Sequence, residues 1–346
     1  MAFCGICGTD IHEYLKGPIL LPPKDGANPH TGARLPLTLG HEMSGCISEL
    51  GSDVTAFALG QNVVVNPAMD DRHHHLPRCD LCAAQKQNVC VHSTFYGLQA
   101  SAGGFADEIC VKAIAVHPIP KGVSLKVAAL AEPLAVASHM IRISGFAPNQ
   151  SALVLGAGPI GCALTWFLKK KGARHIVVSE ITSHRTRQAY ECGADIVVNP
   201  TNGNTAVLDE ILRREPLGAH VAFDASGLQS TLDEAFGCTR PAGVVFNVAI
   251  HDKPLFLDLN LLTLSEKRLL AGNAYTTEDY LQVLKAVESH EGELEKFITG
   301  TVSLEKAVID GFEELIHNKS RHNKILVEVQ GDSASIGKQC HRQARL

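Results

Sequence analysis

The pattern of apolar and polar positions changes near residue 150. From Ser151 onward, continuous apolar runs such as SALVLG, HIVVSE, DIVVNP and GVVFNVAI alternate with amphipathic segments such as PIGCALTWFLKKKGA and RTRQAYECGA. Uninterrupted apolar strands separated by helices are typical of a parallel sheet that is covered by helices on both faces. The pattern therefore predicts a doubly wound α/β domain over residues 130–272.

The two flanking segments follow a different pattern. Residues 1–129 are rich in Gly and Pro and contain short strand-like runs, QNVVVNPAM and FADEICVKAIAVHPIP, which indicate an irregular, mostly β domain. Toward the end the pattern turns helical and closes with one apolar strand, NKILVEV. We expect this tail to return to the first domain, so that residues 1–129 and 273–346 form one discontinuous unit. Its polar, aperiodic end, residues 331–346, is predicted to be disordered.

The charge balance and the cysteine count indicate which kinds of binding partner and which cellular compartment to expect. The 346 residues carry 31 Lys and Arg against 36 Asp and Glu, a formal net charge of −5. This balance supplies no basic field, so we expect no nucleic-acid or membrane partner, whereas a small neutral substrate is compatible with it. The opening residues lack the pattern of a secretory signal, and we expect a cytoplasmic protein. Eleven cysteines, an odd number, favour reduced thiols and metal ligands over a disulfide framework.

A glycine motif follows the first apolar strand of the α/β segment. In LVLGAGPIG, Gly156, Gly158 and Gly161 stand in GxGxxG register, with Pro159 and Ile160 between the last two. The first glycine permits a tight turn, the second lets a pyrophosphate approach the backbone at a helix N-terminus, and the third allows close packing of helix and strand. The context predicts a dinucleotide-binding site.

The next strand, HIVVSE, ends in an acidic residue. Glu180 lies 24 positions beyond Gly156, close to the spacing of about 20 residues expected for the carboxylate that binds the adenosine ribose. A carboxylate repels a 2′-phosphate, so NAD is favoured over NADP. The alternative is a surface acid that caps the following helix. Arg185, just past the strand, is the type of residue that would soften the NAD preference.

Three residues near the start of the chain form a candidate metal site. Cys7, His41 and Glu42 supply a thiolate, an imidazole and a carboxylate, the mixed ligand set of a catalytic zinc that keeps one open position. Their separation in sequence does not prevent them from meeting in a folded domain.

These residues belong to longer motifs. GHEMSGCISELGSDV matches the pattern GHExxGxxxxxGxxV, and CGICGTD, AEPLAVASH and GGFAD accompany it. The chain thereby resembles the zinc-dependent medium-chain dehydrogenase/reductase family. The segment LKGPILLPPKDGANPHTGARLPLTLGHE is similar to the 2,3-butanediol dehydrogenase branch, near sorbitol dehydrogenase.

The resemblance implies a fold and an activity. The fold is a GroES-like, mostly β catalytic domain joined to a Rossmann NAD-binding domain. The activity is zinc- and NAD-dependent oxidation of a secondary alcohol, a vicinal diol or polyol such as 2,3-butanediol, with acetoin as product. Family members are commonly homodimers or homotetramers, and the same is expected here.

The resemblance also implies roles for individual residues. Cys7 and His41 would bind the catalytic zinc, and Glu42 and Glu132 compete for the third position. Thr9 would contact the substrate oxygen, and His12 would relay the proton. Asp10 would orient the His41 imidazole.

A second cysteine cluster departs from the family pattern. Cys79, Cys82 and Cys90 follow the spacing CxxCx7C, whereas the family's structural-zinc lobe reads CxxCxxCx7C and would place a first cysteine at Leu76. Leucine cannot bind zinc, and a closed structural site needs four ligands. Either a histidine of the preceding DDRHHH replaces it, with His73, His74 and His75 as candidates, or the lobe has lost its zinc.

The N-terminus motivates a rival hypothesis. Relatives carry a β-strand-rich segment ahead of the CGICGTD motif, whereas this chain begins three residues before it, so the N-terminus looks truncated. Lost strands would leave sheet edges unpaired and apolar surface uncovered. The alternative to the enzyme is therefore a catalytically impaired protein that keeps NAD binding.

Overall fold

The computed structural model describes residues 1–251 and 253–330. The predicted disordered tail, 331–346, lies outside the described residues. The chain divides into two compact units: Met1–Glu132 together with the described residues from Thr276 onward, and Pro133–Tyr275. The sequence pattern predicts the boundaries 129/130 and 272/273.

The strands of the described chain are short in the first unit and longer in the second. They are β1 (Phe3–Gly5), β2 (Glu42–Cys46), β3 (Asn62–Val65), β4 (Ala68–Met69), β5 (Thr94–Phe95), β6 (Val116–Pro118), β7 (Ser151–Leu155), β8 (His175–Ser179), β9 (Ile196–Val198), β10 (Ala219–Asp224), β11 (Thr239–Asn247), β12 (Arg268–Ala271), β13 (Ile298–Ser303) and β14 (Lys324–Glu328).

The helices concentrate in the second unit and in the segment that follows it. They are α1 (Gly8–Lys16), α2 (Asp80–Ala83), α3 (Leu125–Ala128), α4 (Ala131–Ser144), α5 (Pro159–Lys170), α6 (Ser183–Glu191), α7 (Ala206–Arg214), α8 (Gln229–Cys238), α9 (Asn260–Thr263), α10 (Thr277–Leu294) and α11 (Glu314–His317). None of the helices in the described ranges is long and apolar enough to cross a membrane.

The first unit is built on a six-stranded mixed sheet in the order β13-β14-β1-β2-β3-β6. β1 lies inside this sheet and pairs antiparallel with both β14 and β2. The closing strand predicted from NKILVEV is β14. One face of the sheet buries Cys4 and Met43 from neighbouring strands with Val65. The predicted mostly β character of this segment is confirmed.

The second unit contains a six-stranded parallel sheet in the order β12-β11-β10-β7-β8-β9. Strand β7 is buried along its whole length, which explains its continuous apolar run. Leu153 and Leu155 of this strand pack with Val177 of β8 and Phe236 of α8 in the core. This is the strand order of a Rossmann fold, in which β7 is central and the order reverses beside it. The predicted doubly wound sheet is confirmed.

Candidate functional site

Cys7 lies in the connection between β1 and α1. Its backbone is extended, and it occupies the N-cap position of α1. The buried Asp10 carboxylate accepts a hydrogen bond from the Cys7 backbone N–H at 2.9 Å through Oδ2, so it satisfies a donor that would otherwise be unpaired at the helix start. This turn holds the Cys7 side chain at the end of β1.

His41 and Glu42 reach the same place from β2. Gly40, which precedes them, has a φ of +96°, and a Cβ at this position would lie 2.8 Å from Cys4 Sγ, so glycine is required there. Glu42 is paired with Gly5 across the two strands. As a result, one ligand atom from each of Cys7, His41 and Glu42 lies within 4.8 Å of the other two.

The His41 ring is oriented by a carboxylate. His41 Nδ1 lies 3.4 Å from Asp10 Oδ1, and both side chains are buried. Burial alone would lower the pKa of the His41 imidazole, but the charges of Asp10 and Cys7 outweigh it and raise that pKa well above its ordinary value. With Nδ1 facing Asp10, Nε2 is the ring nitrogen available to a metal. This carboxylate–histidine pair is the usual way to fix a metal-binding imidazole.

Lys324 is a buried site residue that sequence reasoning missed. Its Nζ donates to both carboxylate oxygens of Glu42, at 2.6 and 2.7 Å, and to the carbonyl oxygen of Ile6 at 3.1 Å. Lys324 is only 4% exposed and Glu42 is fully buried. A lysine inside the apolar strand NKILVEV was the available signal, because lysine is seldom fully buried without a charged partner.

The remaining predicted residues of this site are placed differently. Thr9 Oγ1 lies 3.7 Å from Cys7 Sγ and is half-buried. His12 is exposed on α1. Glu132 is buried in the first turn of α4, and the group of ligand atoms within 4.8 Å in the described chain does not include it. Burial, together with the Glu132 charge, raises the pKa of Tyr280.

The donor set of the cluster suits zinc. A thiolate sulfur, an imidazole nitrogen and a carboxylate oxygen converge from two strand ends and a helix start, and three protein ligands leave one position of a tetrahedral ion for a substrate. The buried Glu42 charge is already balanced by Lys324, and the His41 orientation is already set. The residues present therefore fit a catalytic zinc.

The glycine motif forms the predicted turn from strand to helix. Gly156 follows β7 with a φ of +93°, Gly158 is the N-cap of α5, and Pro159 is its first residue. A Cβ on Gly161 would lie 1.9 Å from the carbonyl oxygen of Gly156, so only glycine allows this approach. Ile160 follows in the first helical turn. The backbone N–H groups at this helix start are arranged as a pyrophosphate site requires.

Glu180 and Arg185 both lie beside the glycine loop. Glu180 is buried at the end of β8, and its Oε2 accepts a hydrogen bond from the Ala157 backbone N–H at 2.8 Å. Its Oε1 accepts from the backbone N–H groups of Ile181 and Thr182, both at 2.9 Å. A guanidinium nitrogen of Arg185 lies 3.9 Å from the point where a Cβ on Gly158 would stand. Glu180 therefore holds the glycine loop in place through its hydrogen bond with Ala157.

The second cysteine cluster includes an acidic residue that the sequence did not indicate. The ligand atoms of Cys79, Cys82, Cys90 and Asp71 all lie within 4.8 Å of one another. Leu76 is 37% exposed. The three candidate histidines contact other residues: Asp70, Thr94 and Lys112 are the partners of His73, His74 and His75. The replacement of the missing cysteine by one of these histidines is therefore not what the structure shows.

Comparison with known proteins identifies the family. Residues 1–121 match the model of the alcohol dehydrogenase GroES-like domain, and residues 159–289 match that of the zinc-binding dehydrogenases. The (R,R)-butanediol dehydrogenase of Saccharomyces cerevisiae is 37% identical over 345 residues, which cover 94% of this chain and 89% of the yeast protein. The chain belongs to the zinc-binding alcohol dehydrogenase family.

Other members of the zinc-binding alcohol dehydrogenases extend the comparison. The crystal structure of 2R,3R-butanediol dehydrogenase from Bacillus subtilis superimposes with a TM-score of 0.87 at 32% identity, covering 95% of this chain and 91% of the other. The D-xylulose reductase A of Aspergillus oryzae is 28% identical and covers 88% of this chain and 82% of its own. The resemblance inferred from the motifs is confirmed, and so are the GroES-like and Rossmann folds.

Proposed function

We propose that this protein is a zinc- and NAD-dependent dehydrogenase that interconverts 2,3-butanediol and acetoin. The observation that carries the proposal is the buried convergence of Cys7, His41 and Glu42 in a chain that also forms the dinucleotide turn. The similarity to butanediol dehydrogenases from yeast and Bacillus supports the diol as substrate.

The proposed zinc ligands are Cys7, His41 and Glu42, and their contacts support this choice over Glu132. Zinc held there supplies a Lewis acid for a substrate oxygen. Asp10 lies beside Nδ1 of His41, so Nε2 is proposed as the nitrogen that binds the ion. Lys324 balances the charge of Glu42, so that the ligand set carries less net negative charge toward the substrate.

The proton of the alcohol needs a path from the buried cluster to water. We assign its first acceptor as Thr9, because its hydroxyl lies 3.7 Å from Cys7 Sγ and is half-buried. His12, three residues further on the same helix and exposed, is placed to pass the proton to solvent. Residues three apart lie on the same face of a helix, which supports this pairing.

The proposed NAD site belongs to the second unit. Gly156, Gly158 and Gly161, with Pro159 and Ile160, present the helix N-terminus to the pyrophosphate. NAD supplies the hydride acceptor. Glu180 is proposed to accept a hydrogen bond from a ribose hydroxyl through Oε2, which has a second lone pair beside the one that accepts the Ala157 N–H. Its Oε1 already accepts from the Ile181 and Thr182 N–H groups and from the Thr182 hydroxyl. Arg185 is proposed to contact the phosphates, since its guanidinium lies beside Gly158.

A second candidate is a polyol dehydrogenase of the sorbitol or xylitol type. The relative that favours it is the D-xylulose reductase from Aspergillus oryzae, at lower identity than the butanediol enzymes. Both candidates use the same metal and cofactor chemistry, so relative turnover of diol and polyol discriminates between them.

The experiment is NAD reduction measured with 2,3-butanediol, sorbitol and xylitol, before and after treatment with a chelator. We expect the highest kcat/KM with 2,3-butanediol and loss of turnover on chelation. Cys7→Ser should abolish turnover while NAD still raises the melting temperature, and Cys110→Ser, a change at an exposed cysteine, should leave turnover intact. NAD binding without chelator-sensitive turnover would instead favour the catalytically impaired protein.

We also propose that the protein acts as a homo-oligomer in the cytoplasm. β12 is the last strand at one edge of the parallel sheet as described; it carries the exposed Leu269, and the exposed Phe256 and Leu264 precede it in sequence. Edge strands with apolar surface favour pairing with another chain. Leu264→Glu should lower the mass measured by light scattering if this surface is the interface. The ten cysteines of the described chain are reduced thiols in the structure, which supports a reducing compartment.

A further inference from the structure

A small cavity lies at the amino ends of the parallel strands in the second unit. Its volume is about 220 Å³, and its lining includes Arg268, the first residue of β12, together with Arg240 and His220, the second residues of β11 and β10. Gly156, by contrast, follows the carboxyl end of β7, a strand of five residues that spans roughly 16 Å. The cavity and the dinucleotide turn therefore lie at opposite edges of the same sheet.

An irregularity in the pairing of β10 with β11 makes room for the cavity. The register joins residues 219–221 of β10 to residues 239–244 of β11, so that His220 alone faces the four residues 240–243. Ala242, within these extra residues, has a φ of +57°, a left-handed conformation that is uncommon for alanine. A bulge of this kind disrupts the ladder locally and separates the two strands at this edge of the sheet.

Two arginines give the cavity a positive charge. Arg240 and Arg268 both line it, and none of the described residues in its lining is acidic. In the part of the chain that the structure describes, neither guanidinium group forms an ion pair with a carboxylate, whereas the neighbouring Arg174 is paired with Glu215 at 2.6 Å. Two uncompensated cations around one cavity favour an anion as its occupant.

His220 positions one of these arginines. Arg240 donates a hydrogen bond from Nη1 to His220 Nε2 at 2.8 Å. Because a guanidinium group can only donate, Nε2 accepts, and the ring proton is on Nδ1, which donates to Ser151 Oγ at 2.8 Å. Ser151 is 1% exposed, so a buried residue of β7 holds the ring. The contact uses a single N–H of the Arg240 guanidinium group, and its other donors remain available to a ligand.

The donors and the volume of the cavity indicate a small, doubly charged oxyanion. A guanidinium group presents its N–H donors in a planar fork that matches the oxygens of phosphate and carboxylate groups. A monocarboxylate would balance only one of the two arginines, whereas a phosphate group carries about −1.5 to −2 charges near pH 7. The volume of about 220 Å³ is below the roughly 300–1,000 Å³ of pockets for drug-sized ligands, which favours a small occupant.

We propose that this cavity binds a small phosphate, either the free ion or a monoester, through the guanidinium groups of Arg240 and Arg268. His220 is the positioning residue for Arg240. Gln150 also lines the cavity, and because its Oε1 accepts from the Ala147 N–H at 3.0 Å, its amide N–H groups are left to donate. The site includes none of the proposed zinc or NAD residues, so its test does not depend on the proposed activity.

The primary test is isothermal titration calorimetry of inorganic phosphate into purified full-length, zinc-loaded protein at constant ionic strength. Wild type should bind phosphate saturably, and sodium chloride should give no saturable heat. Arg268→Gln and Arg240→Gln should each raise the Kd about 10–100-fold, the range expected for hydrogen bonds to a charged group. No saturable binding in wild type, or the wild-type Kd in both variants, would overturn the proposal.

The matched control is another arginine of the second unit. Arg213 is exposed and already paired with Glu210, which keeps Arg214 as a second partner, so Arg213→Gln removes the same charge without leaving a carboxylate unpaired. The Kd for phosphate should stay at the wild-type value. An equal loss of affinity in Arg213→Gln would show that phosphate responds only to the net charge of the protein, and the cavity would not be a site.

A further control separates the cavity from the dinucleotide turn, since a helix N-terminus also favours phosphate groups. Arg185→Gln, which removes the cation beside Gly158, should leave the Kd for phosphate unchanged, and so should saturation with NAD. If either treatment abolished phosphate binding, the anion would belong to the glycine loop and the proposal would be wrong.

A thermal shift measurement guards against misfolded variants. Arg268 is exposed, so Arg268→Gln should melt at the wild-type temperature without phosphate, while phosphate should raise the melting temperature of wild type alone. His220→Ala should weaken phosphate binding, and His220→Gln, which keeps an acceptor for Arg240, should restore most of it. The wild-type Kd in His220→Ala would overturn the positioning role of His220.

Titration with glycerol 3-phosphate distinguishes the two sources of the phosphate group. A Kd below that of inorganic phosphate would support a monoester as the ligand, and a Kd above it would support the free ion. Both results require that Arg268→Gln weakens the binding, and a glycerol 3-phosphate Kd that this variant leaves unchanged would place the ester outside the cavity and overturn the monoester assignment.

Discussion

Lys324 Nζ lies 2.6 Å from Glu42 Oε1 and 2.7 Å from Oε2, with both side chains buried. The pair joins β14, the last strand along the described chain, to a residue of the proposed zinc site. The third proton of the ammonium group reaches the Ile6 carbonyl oxygen, so the buried cation is fully satisfied. Because both side chains are buried, each charge depends on the other for its stabilisation.

Removing this cation should destabilise the protein. In Lys324→Met the Glu42 carboxylate stays buried without its partner, and breaking one side of a buried pair costs about 3–5 kcal/mol. Urea denaturation should show this loss in the free energy of unfolding, and the double variant with Glu42→Gln should recover part of it. Lys285→Met, at an exposed position of α10, is the control and should change stability by less than about 0.5 kcal/mol. A loss below about 1 kcal/mol in Lys324→Met would contradict the expectation.

Gly161→Ala should damage the dinucleotide turn. Its Cβ would lie 1.9 Å from the Gly156 carbonyl oxygen, a backbone atom that cannot move without opening the turn. We expect a loss of about 1–3 kcal/mol in stability and a large rise in the Kd for NAD, measured by calorimetry. Gly237→Ala in α8 meets nothing within 4 Å and should stabilise the helix by about 0.5–1 kcal/mol. NAD binding that is unchanged in Gly161→Ala would show that the turn is not the cofactor site.

Glu180→Gln should shift cofactor preference toward NADP. The amide keeps an acceptor for the Ala157 N–H but removes the charge that repels a 2′-phosphate. The ratio of kcat/KM for NADP to that for NAD should rise at least several-fold. Glu191→Gln, at an exposed position near the end of α6, should leave the ratio unchanged. If both variants gave the wild-type ratio, Glu180 would have only the loop-holding role.

His220 should make the second unit sensitive to mild acid. Burial and the positive charge of Arg240, whose guanidinium lies 2.8 Å from His220 Nε2, lower the pKa of this imidazole below 6.5, although Glu215 partly opposes them. Because the folded pKa is depressed, the unfolded chain binds the proton first, and stability falls as pH drops below about 6.5. Urea midpoints measured across this range should fall more steeply in wild type than in His220→Gln. Parallel curves would show that His220 does not contribute.

The sequence predicted the strands whose side chains are buried on both faces. It also predicted the site residues that belong to a motif of a few neighbouring positions. The run SALVLG became β7 because a central parallel strand is apolar on both faces. Gly156 and Gly161 were found because their roles depend on neighbours a few positions away. Cys7, His41 and Glu42 were found through their ligand chemistry and the motifs around them, and the structure brings them together.

Asp71 and Lys324 were missed for a common physical reason. Lys324 pairs with Glu42, which is distant in the chain, and Asp71 contacts Cys79 through an irregular turn. The period of apolar residues and the spacing of cysteines do not predict such contacts. Asp71 stands eight positions before Cys79, and only the turn at Leu76 brings it to the sulfurs. The sequence pattern left two alternatives open, replacement by an adjacent histidine or loss of the zinc, and the three histidines contact Asp70, Thr94 and Lys112.

The pairing of β1 with β14 determines the order in which the protein can be completed on the ribosome. Phe3 is opposite Glu328 in this ladder, so β1 emerges early and waits for a partner that is translated after nearly all of the described chain. The middle unit has its whole sheet available before that moment, and domains synthesised as continuous segments fold as units. During synthesis the polypeptide therefore carries Cys7 and one unpaired side of β1 until β14, which contains Lys324, has been translated. In that period, chaperone binding and aggregation compete with the pairing of β1 and β14.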